Sequence, residues 1–207
     1  MAHNLWTADN FLGGALCLDF ANTISGRRSD RPRELLHEPG DVFSWAAAAG
    51  EICEEEADAL KRRAAEDAAA AEALMAAARG LREAVYAVFS AVAAGRTPPA
   101  AEFARLDGSV ADALGRLSLT PTGDGYVWSW RDAEGGLGRP LWAVARSAGE
   151  LLTTADPRRL RECGGPDCAW LFVDTSKNAK RRWCDMRFCG NRAKAHRHYR
   201  RTRADAE

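Results

Sequence analysis

CGGPDCAWLFVDTSKNAKRRWCDMRFCGNR, residues 163–192, decides how this chain is read. Cys163 and Cys168 enclose four residues, Cys184 and Cys189 enclose four more, and fifteen (Ala169 to Trp183) lie between the pairs. A close cysteine pair can turn both sulfurs inward toward one ion. Structural zinc takes four such ligands in a tetrahedron, with zinc–sulfur distances of about 2.3 Å. Thiolates select zinc or iron–sulfur over calcium or magnesium. The spacing points to one structural zinc held by Cys163, Cys168, Cys184 and Cys189, with no coordination position open for chemistry. Free buried thiols, disulfides and an iron–sulfur cluster remain as alternatives.

The residues around the cysteines fit the same picture. Gly164, Gly165 and Pro166 give the first pair a tight turn whose N–H groups can face the sulfurs. Trp170 to Asp174 reads as a strand, Thr175 to Lys180 as a polar turn, and Arg181 to Cys184 as the returning strand. A helical run begins after Gly190 and Asn191. The order is knuckle, hairpin, then helix with a ligand at its start, which predicts a treble-clef-like zinc finger. The helix dipole favours a thiolate at that start. Trp170, Phe172 and Trp183 are read as the finger's miniature core.

Cys189-Gly190-Asn191-Arg192 resembles the signature of the CGNR zinc fingers, and Gly13 to Thr23 (GGALCLDFANT) resembles the start of the ABATE domain that precedes such fingers. The two regions together cover almost the whole chain. The resemblance implies a bacterial, stress-induced transcriptional regulator in which the finger is the DNA-binding part.

The chain as a whole reads as an ordinary soluble protein of 207 residues, 46% hydrophobic, long enough for one core plus a small appendage. No run of about eighteen apolar residues is present, so no membrane partner is expected. The start, MAHNLWTADN, lacks a basic segment followed by an apolar block, so no signal peptide is expected and the compartment is read as cytoplasmic. In a reducing compartment paired cysteines are metal ligands more often than disulfides. Cys17 and Cys53 lie outside the cluster and read as small core residues.

The net charge is zero, but residues 158–207 hold 14 Lys and Arg against 6 Asp and Glu, a net of +8, which leaves −8 on residues 1–157. So sharp a split points to a basic module that meets a polyanion. The polar break Thr153 to Pro157 sets the expected domains at 1–156 and 157–207.

The first domain reads as mainly α with small β. Asp41 is taken to cap a helix to about Ala49, followed by a helix over Glu54 to Ala70. From Ala71 to Ala94, Leu74, Leu81, Val85, Val88, Phe89 and Val92 share one face. Pro98 and Pro99 open a helix with Phe103, Leu106, Val110, Leu114 and Leu117 on one stripe. Leu117 to Trp130 predicts a β-hairpin turning at Thr122 to Gly125, with Tyr126, Trp128 and Trp130 packed on the helices. Leu137 to Leu152 predicts the last helix. Ser25 to Gly40, with Arg27, Arg28, Arg31 and Arg33, reads as a solvated loop. Asp19, Asn22 and Trp128 are the candidate lining of a pocket for an unknown small-molecule ligand, with local capping by Asp19 and Asn22 as the alternative.

No G-x-S-x-G, phosphate-cradling glycine loop or H-E-x-x-H is present, so no catalytic residues are assigned. The function is therefore placed on the basic end. Lys177, Lys180, Arg181, Arg182, Asn191, Arg192, Lys194, Arg197, Arg200 and Arg201 are the candidate nucleic-acid contacts. DNA is the expected partner, RNA or a ribosome the alternative, and an enzyme built on the first domain the third reading. A homodimer is compatible with all three.

Overall fold

The structure is a computed structural model and describes residues 6–131, 136–195 and 199. The fold is mainly α with small β elements, as expected. Its main α-helices are α1 (Leu16–Ala21), α2 (Pro39–Ala48), α3 (Glu54–Glu66), α4 (Ala68–Ala93), α5 (Ala100–Gly115) and α6 (Arg139–Thr154), and a short helical segment over 191–195 follows near the C-terminus. Three two-stranded antiparallel ladders accompany them: β1 (Ile24–Ser25) with β2 (Arg33–Glu34), β3 (Leu117–Thr122) with β4 (Gly125–Trp130), and β5 (Leu160–Glu162) with β6 (Leu171–Val173).

α4 is the axis of the molecule and contacts each of the other five helices. Its Leu74, Ala78, Leu81, Val85, Val88 and Phe89 recur at spacings of three and four and are all buried. Burial of each larger apolar side chain is worth roughly 1.5–3 kcal/mol. The predicted break between two helices near residue 70 falls earlier. Asp67 ends α3 and caps α4, accepting the Ala70 N–H at 2.9 Å. α2 also begins earlier than expected, because Pro39 occupies a first-turn position where its missing N–H costs nothing. Asp41 then caps from inside the helix, accepting the Glu38 N–H at 3.1 Å.

Two predicted apolar faces are only partly covered. In α5, Leu106 and Ala113 are buried, but Phe103 and Leu114 are 48% and 53% exposed. That helix packs mainly on α4 and α6, a seam too narrow for the full stripe. In the hairpin, Leu119 pairs with Trp128 and Thr122 with Gly125. Only Trp130, at the root, packs inward, with its ring 5.8 Å from that of Trp142. Tyr126 and Trp128 stand exposed nearer the turn. Cys17 is buried as expected, whereas Cys53 is exposed at the start of α3.

The Gly13–Thr23 stretch joins the two ends of the chain. Asp19 in α1 turns back to accept the Gly13 N–H at 2.7 Å. A β-carbon on Gly13 would stand 2.9 Å from that same oxygen, too close for any side chain. The Gly13 carbonyl accepts the Val173 N–H of β6 at 2.8 Å. Asn22 brackets Leu171 in the same strand, accepting its N–H at 2.8 Å and donating to its carbonyl at 2.9 Å. The edge of β6 is thus satisfied by residues from the other end of the chain, and Leu160 and Leu171 enter the same core as α1 and α4.

The β6 pairing corrects a sequence expectation. Its partner is β5, in the register Leu160↔Val173, Arg161↔Phe172, Glu162↔Leu171. Residues 181–184 carry no strand. The first cysteine pair therefore sits in the loop of a β5–β6 hairpin, and the second pair follows a non-strand excursion.

Candidate metal centre and basic surface

Cys163 follows β5 directly and Cys168 precedes β6, so the hairpin brings their sulfurs together. Gly165 makes the turn possible. A β-carbon there would lie 3.1 Å from the Cys168 β-carbon and 3.3 Å from the Cys189 sulfur. Ala169 holds the end of the turn with a left-handed φ of 63°, a conformation that costs a non-glycine residue roughly 1–2 kcal/mol. The second pair is set by a wide helical turn, Met186–Gly190, continued by α-helix over 191–195.

All four sulfurs lie within 4.8 Å of one another. The Cys168–Cys184 and Cys184–Cys189 separations are 3.7 and 3.6 Å. A tetrahedron with zinc–sulfur bonds of about 2.3 Å has sulfur–sulfur edges of roughly 3.8 Å, so the donor set fits zinc. A disulfide needs about 2.05 Å, and none of the cysteines forms one. The Cys163 sulfur also accepts the N–H groups of Cys184 at 3.3 Å and Gly165 at 3.5 Å.

Without an ion the four thiols share protons unequally. Hydrogen bonds from the Cys168 and Cys184 thiols, with help from the Cys184 and Gly165 N–H groups, pull Cys163 down to about 2. Donating to that thiolate raises Cys168 to about 12 and also raises Cys184. Burial, and then the Cys163 charge, raise Cys189. Protein alone therefore favours one thiolate and three thiols. A divalent ion among the sulfurs holds all four deprotonated, and its binding is coupled to proton release.

Around the centre, Phe172 is buried with Trp170 and Trp183 packed beside it. Asp174 is fully buried. Burial opposes its charge, but hydrogen bonds from Ser176 and from the Arg181 N–H outweigh that and lower its pKa. Its carboxylate thereby ties down the 174–181 loop. Arg181, one of the candidate nucleic-acid contacts, donates its guanidinium N–H groups to the Trp183 and Cys184 carbonyls and lies 4.5 Å from the Phe172 ring centroid. It is half-buried and braces the second cysteine pair.

The loop after β1, expected to be solvated, grips the knuckle. The Arg27 and Arg28 N–H groups donate to the Cys168 and Asp167 carbonyls, both at 3.2 Å. The Arg28 guanidinium reaches the Cys163 carbonyl at 3.1 Å and pairs with Glu162. Trp170 donates its indole N–H to the Ile24 carbonyl at 3.0 Å. Nothing in local spacing announces these contacts, because the partners are more than 130 residues apart.

Lys177, Lys180, Arg182, Arg192 and Lys194 are exposed, and none of them pairs with a carboxylate among the described residues. Arg182 lies 5.2 Å from the Trp183 ring centroid. Asn191 is exposed and donates to the Arg187 carbonyl at 3.2 Å. Arg187 itself is tied to Asp185 and Asp9. Arg197, Arg200 and Arg201 lie outside the described residues.

Of the candidate pocket residues, Asp19 and Asn22 are buried and bonded to main chain, while Trp128 is 57% exposed on β4. Burial raises the Asp19 pKa to about 7 against the pull of the Gly13 and Leu12 N–H groups. Two cavities are lined by other residues: one of about 410 Å³ beside the metal centre, and one of about 300 Å³ formed by Leu16, Glu51, Trp130, Ala143, Arg146, Ser147 and Glu150.

Residues 14–155 match ABATE, a family described as "Putative stress-induced transcription regulator". This chain belongs to the ABATE family. Residues 159–202 match the CGNR zinc finger, and this second match takes in all four cysteines. The ABATE chain thus carries one structural zinc site at its C-terminal end. A comparison with curated proteins finds no match. No helix among the described residues of this ABATE protein is long and apolar enough to cross a membrane.

Proposed function

We propose that this ABATE protein is a zinc-dependent, DNA-binding transcription regulator whose first domain answers a small ligand or stress signal. The observation that carries the reading is the exposed set Lys177, Lys180, Arg182, Arg192 and Lys194, left without carboxylate partners among the described residues on the end of the chain that holds the +8 charge. Cations on a metal-stiffened lobe neutralise phosphates and release counterions, which gives affinity that falls steeply with salt. Asn191 and Arg192 stand at the start of the helix over 191–195 and are the candidates for contacts beyond the phosphates.

The test is binding to labelled duplex DNA at several salt concentrations. Each phosphate contact contributes about −0.9 to the slope of log affinity against log salt. Replacing Arg182, Arg192 and Lys194 together by Ala is expected to flatten the slope by up to about 3 and weaken binding across all duplex sequences. A slope unchanged by the triple replacement would remove this surface from the interface. Displacement by structured RNA at much lower concentration than by duplex DNA would move the reading to RNA.

A further inference from the structure

The cavity of about 410 Å³ beside the metal centre opens between the two ends of the chain. Leu12, Ser25, Gly26 and Arg33 come from the first domain, Trp170, Phe188 and Arg192 from the finger, and its floor is three of the metal-site cysteines, Cys168, Cys184 and Cys189, so the innermost part of the space belongs to the ion. Its volume is that of a small-molecule site, which is typically about 300–1,000 Å³. Apart from the cysteines, its lining joins an apolar and aromatic side, Leu12, Trp170 and Phe188, to a polar and charged one that includes Arg33 and Arg192.

Trp170 is a fixed wall, because its indole N–H is bonded to the Ile24 carbonyl at 3.0 Å. Phe188 is 44% exposed and offers ring surface. Arg33 and Arg192 are exposed and form no ion pair among the described residues. The acids on the lining are Asp9, already paired with Arg187 at 2.8 Å, and Asp167. A four-thiolate zinc centre carries a net charge of −2 and repels a bare anion. Two guanidiniums offset that charge, and the aromatic wall favours a ligand that brings a ring as well.

We infer that this cleft binds a small aromatic anion, a flat ring bearing one carboxylate or phosphate, with the ring against Trp170 and Phe188 and the acid between Arg33 and Arg192. This deepens the reading of the protein as ligand-responsive and rests on that reading, and it can be tested without DNA. It moves the ligand seat from Asp19, Asn22 and Trp128 to the seam between the first domain and the finger. Because Arg192 would serve both ligand and phosphate backbone, occupancy of the cleft is linked to the basic surface through that residue.

The test is calorimetric titration of the full zinc-loaded chain, without DNA, using indoleacetate as the aromatic carboxylate, AMP as the aromatic phosphate and indole as the uncharged ring. Saturable binding of indoleacetate or AMP, with indole much weaker, is the expected result, and the stronger of the two names the acid group. Arg33→Ala and Arg192→Ala are each expected to weaken the preferred probe about tenfold. Arg31→Ala removes the same charge from the same loop outside the cleft and is expected to leave binding unchanged. Zinc content and far-ultraviolet circular dichroism, expected unchanged in all three variants, separate loss of the site from loss of the fold. No saturable binding of either acid at millimolar concentration overturns the inference, as does equal binding of indole or equal weakening by Arg31→Ala. A failure here leaves the DNA titration untouched, and the reverse holds as well.

Discussion

Removing zinc is expected to unfold the knuckle and residues 174–195 while α1 to α6 stay folded. The apolar core around the metal is Phe172 with Trp170 and Trp183 beside it, far too little to offset the entropy of ordering more than twenty residues at about 1–2 kcal/mol each. Structural zinc supplies about 10–16 kcal/mol in zinc-finger peptides at neutral pH, which makes it the dominant local term. The strands β5 and β6 are a separate matter. Leu160 and Leu171 sit in the main core, and Asn22 and Gly13 hold the β6 edge, so this ladder persists after metal loss. Hydrogen exchange with and without a zinc chelator checks the prediction. Amides of 163–170 and 174–195 are expected to lose protection and those of α4 to keep it. Cys189→Ser is expected to reproduce the pattern without chelator. Loss of protection across the whole chain would instead make the ion a requirement of the entire fold.

Arg82→Met is expected to cost about 3 kcal/mol, the low end of the range for breaking a buried ion pair by removing one partner, because Glu34 stays partly open to water. The Arg82 side chain is 3% exposed on the inner face of α4. It donates to both carboxylate oxygens of Glu34, at 2.5 and 2.8 Å, and to Glu83 at 3.0 Å. Without it, the Glu34 carboxylate keeps only the Leu35 and Leu36 N–H groups. At about 2–4 °C per kcal/mol for a chain of this size, thermal melting is expected to fall by about 10 °C. Adding Glu34→Gln removes the stranded charge and is expected to recover part of the loss.

The pH dependence follows the sign of the Glu34 shift. Burial pushes its pKa up, but the Arg82 hydrogen bonds and the Leu36 and Leu35 N–H groups outweigh it, and the net pKa is lowered. The folded state therefore holds this proton less tightly than the unfolded state. The contribution is complete above the unfolded value of about 4.3 and is lost as pH falls through the lower folded value. The double variant is expected to lose that part of the acid sensitivity. A single variant that melts within about 1 °C of the parent, under about 0.5 kcal/mol, would contradict the assigned role of Arg82.

The metal centre was legible because its information is local. Four cysteines within 27 consecutive residues, with glycines at the turn, specify their own geometry. The face of α4 was legible for a related reason, since helical periodicity is a property of one segment. What escaped reading depends on distant partners. The strand opposite Leu171–Val173 is the short Leu160–Glu162, and three residues of mixed character carry no period. Arg27 and Arg28 look like a solvated basic loop until Glu83, Glu162 and the knuckle carbonyls are placed beside them. The role of Asn22 toward Leu171 is not legible locally, because a buried amide serves main-chain pairing and ligand binding alike. Phe103, Leu114 and Trp128 were assigned inward because an apolar period says which residues share a face, not how much of that face a neighbour covers.

X-ray absorption at the zinc edge of the purified full-length chain tests the central claim most directly. One zinc per chain, surrounded by four sulfurs at about 2.3 Å, is the predicted result. A zinc-free protein in which residues 174–195 are nevertheless folded, or a zinc ligated by nitrogen or oxygen in place of any of Cys163, Cys168, Cys184 and Cys189, would contradict it.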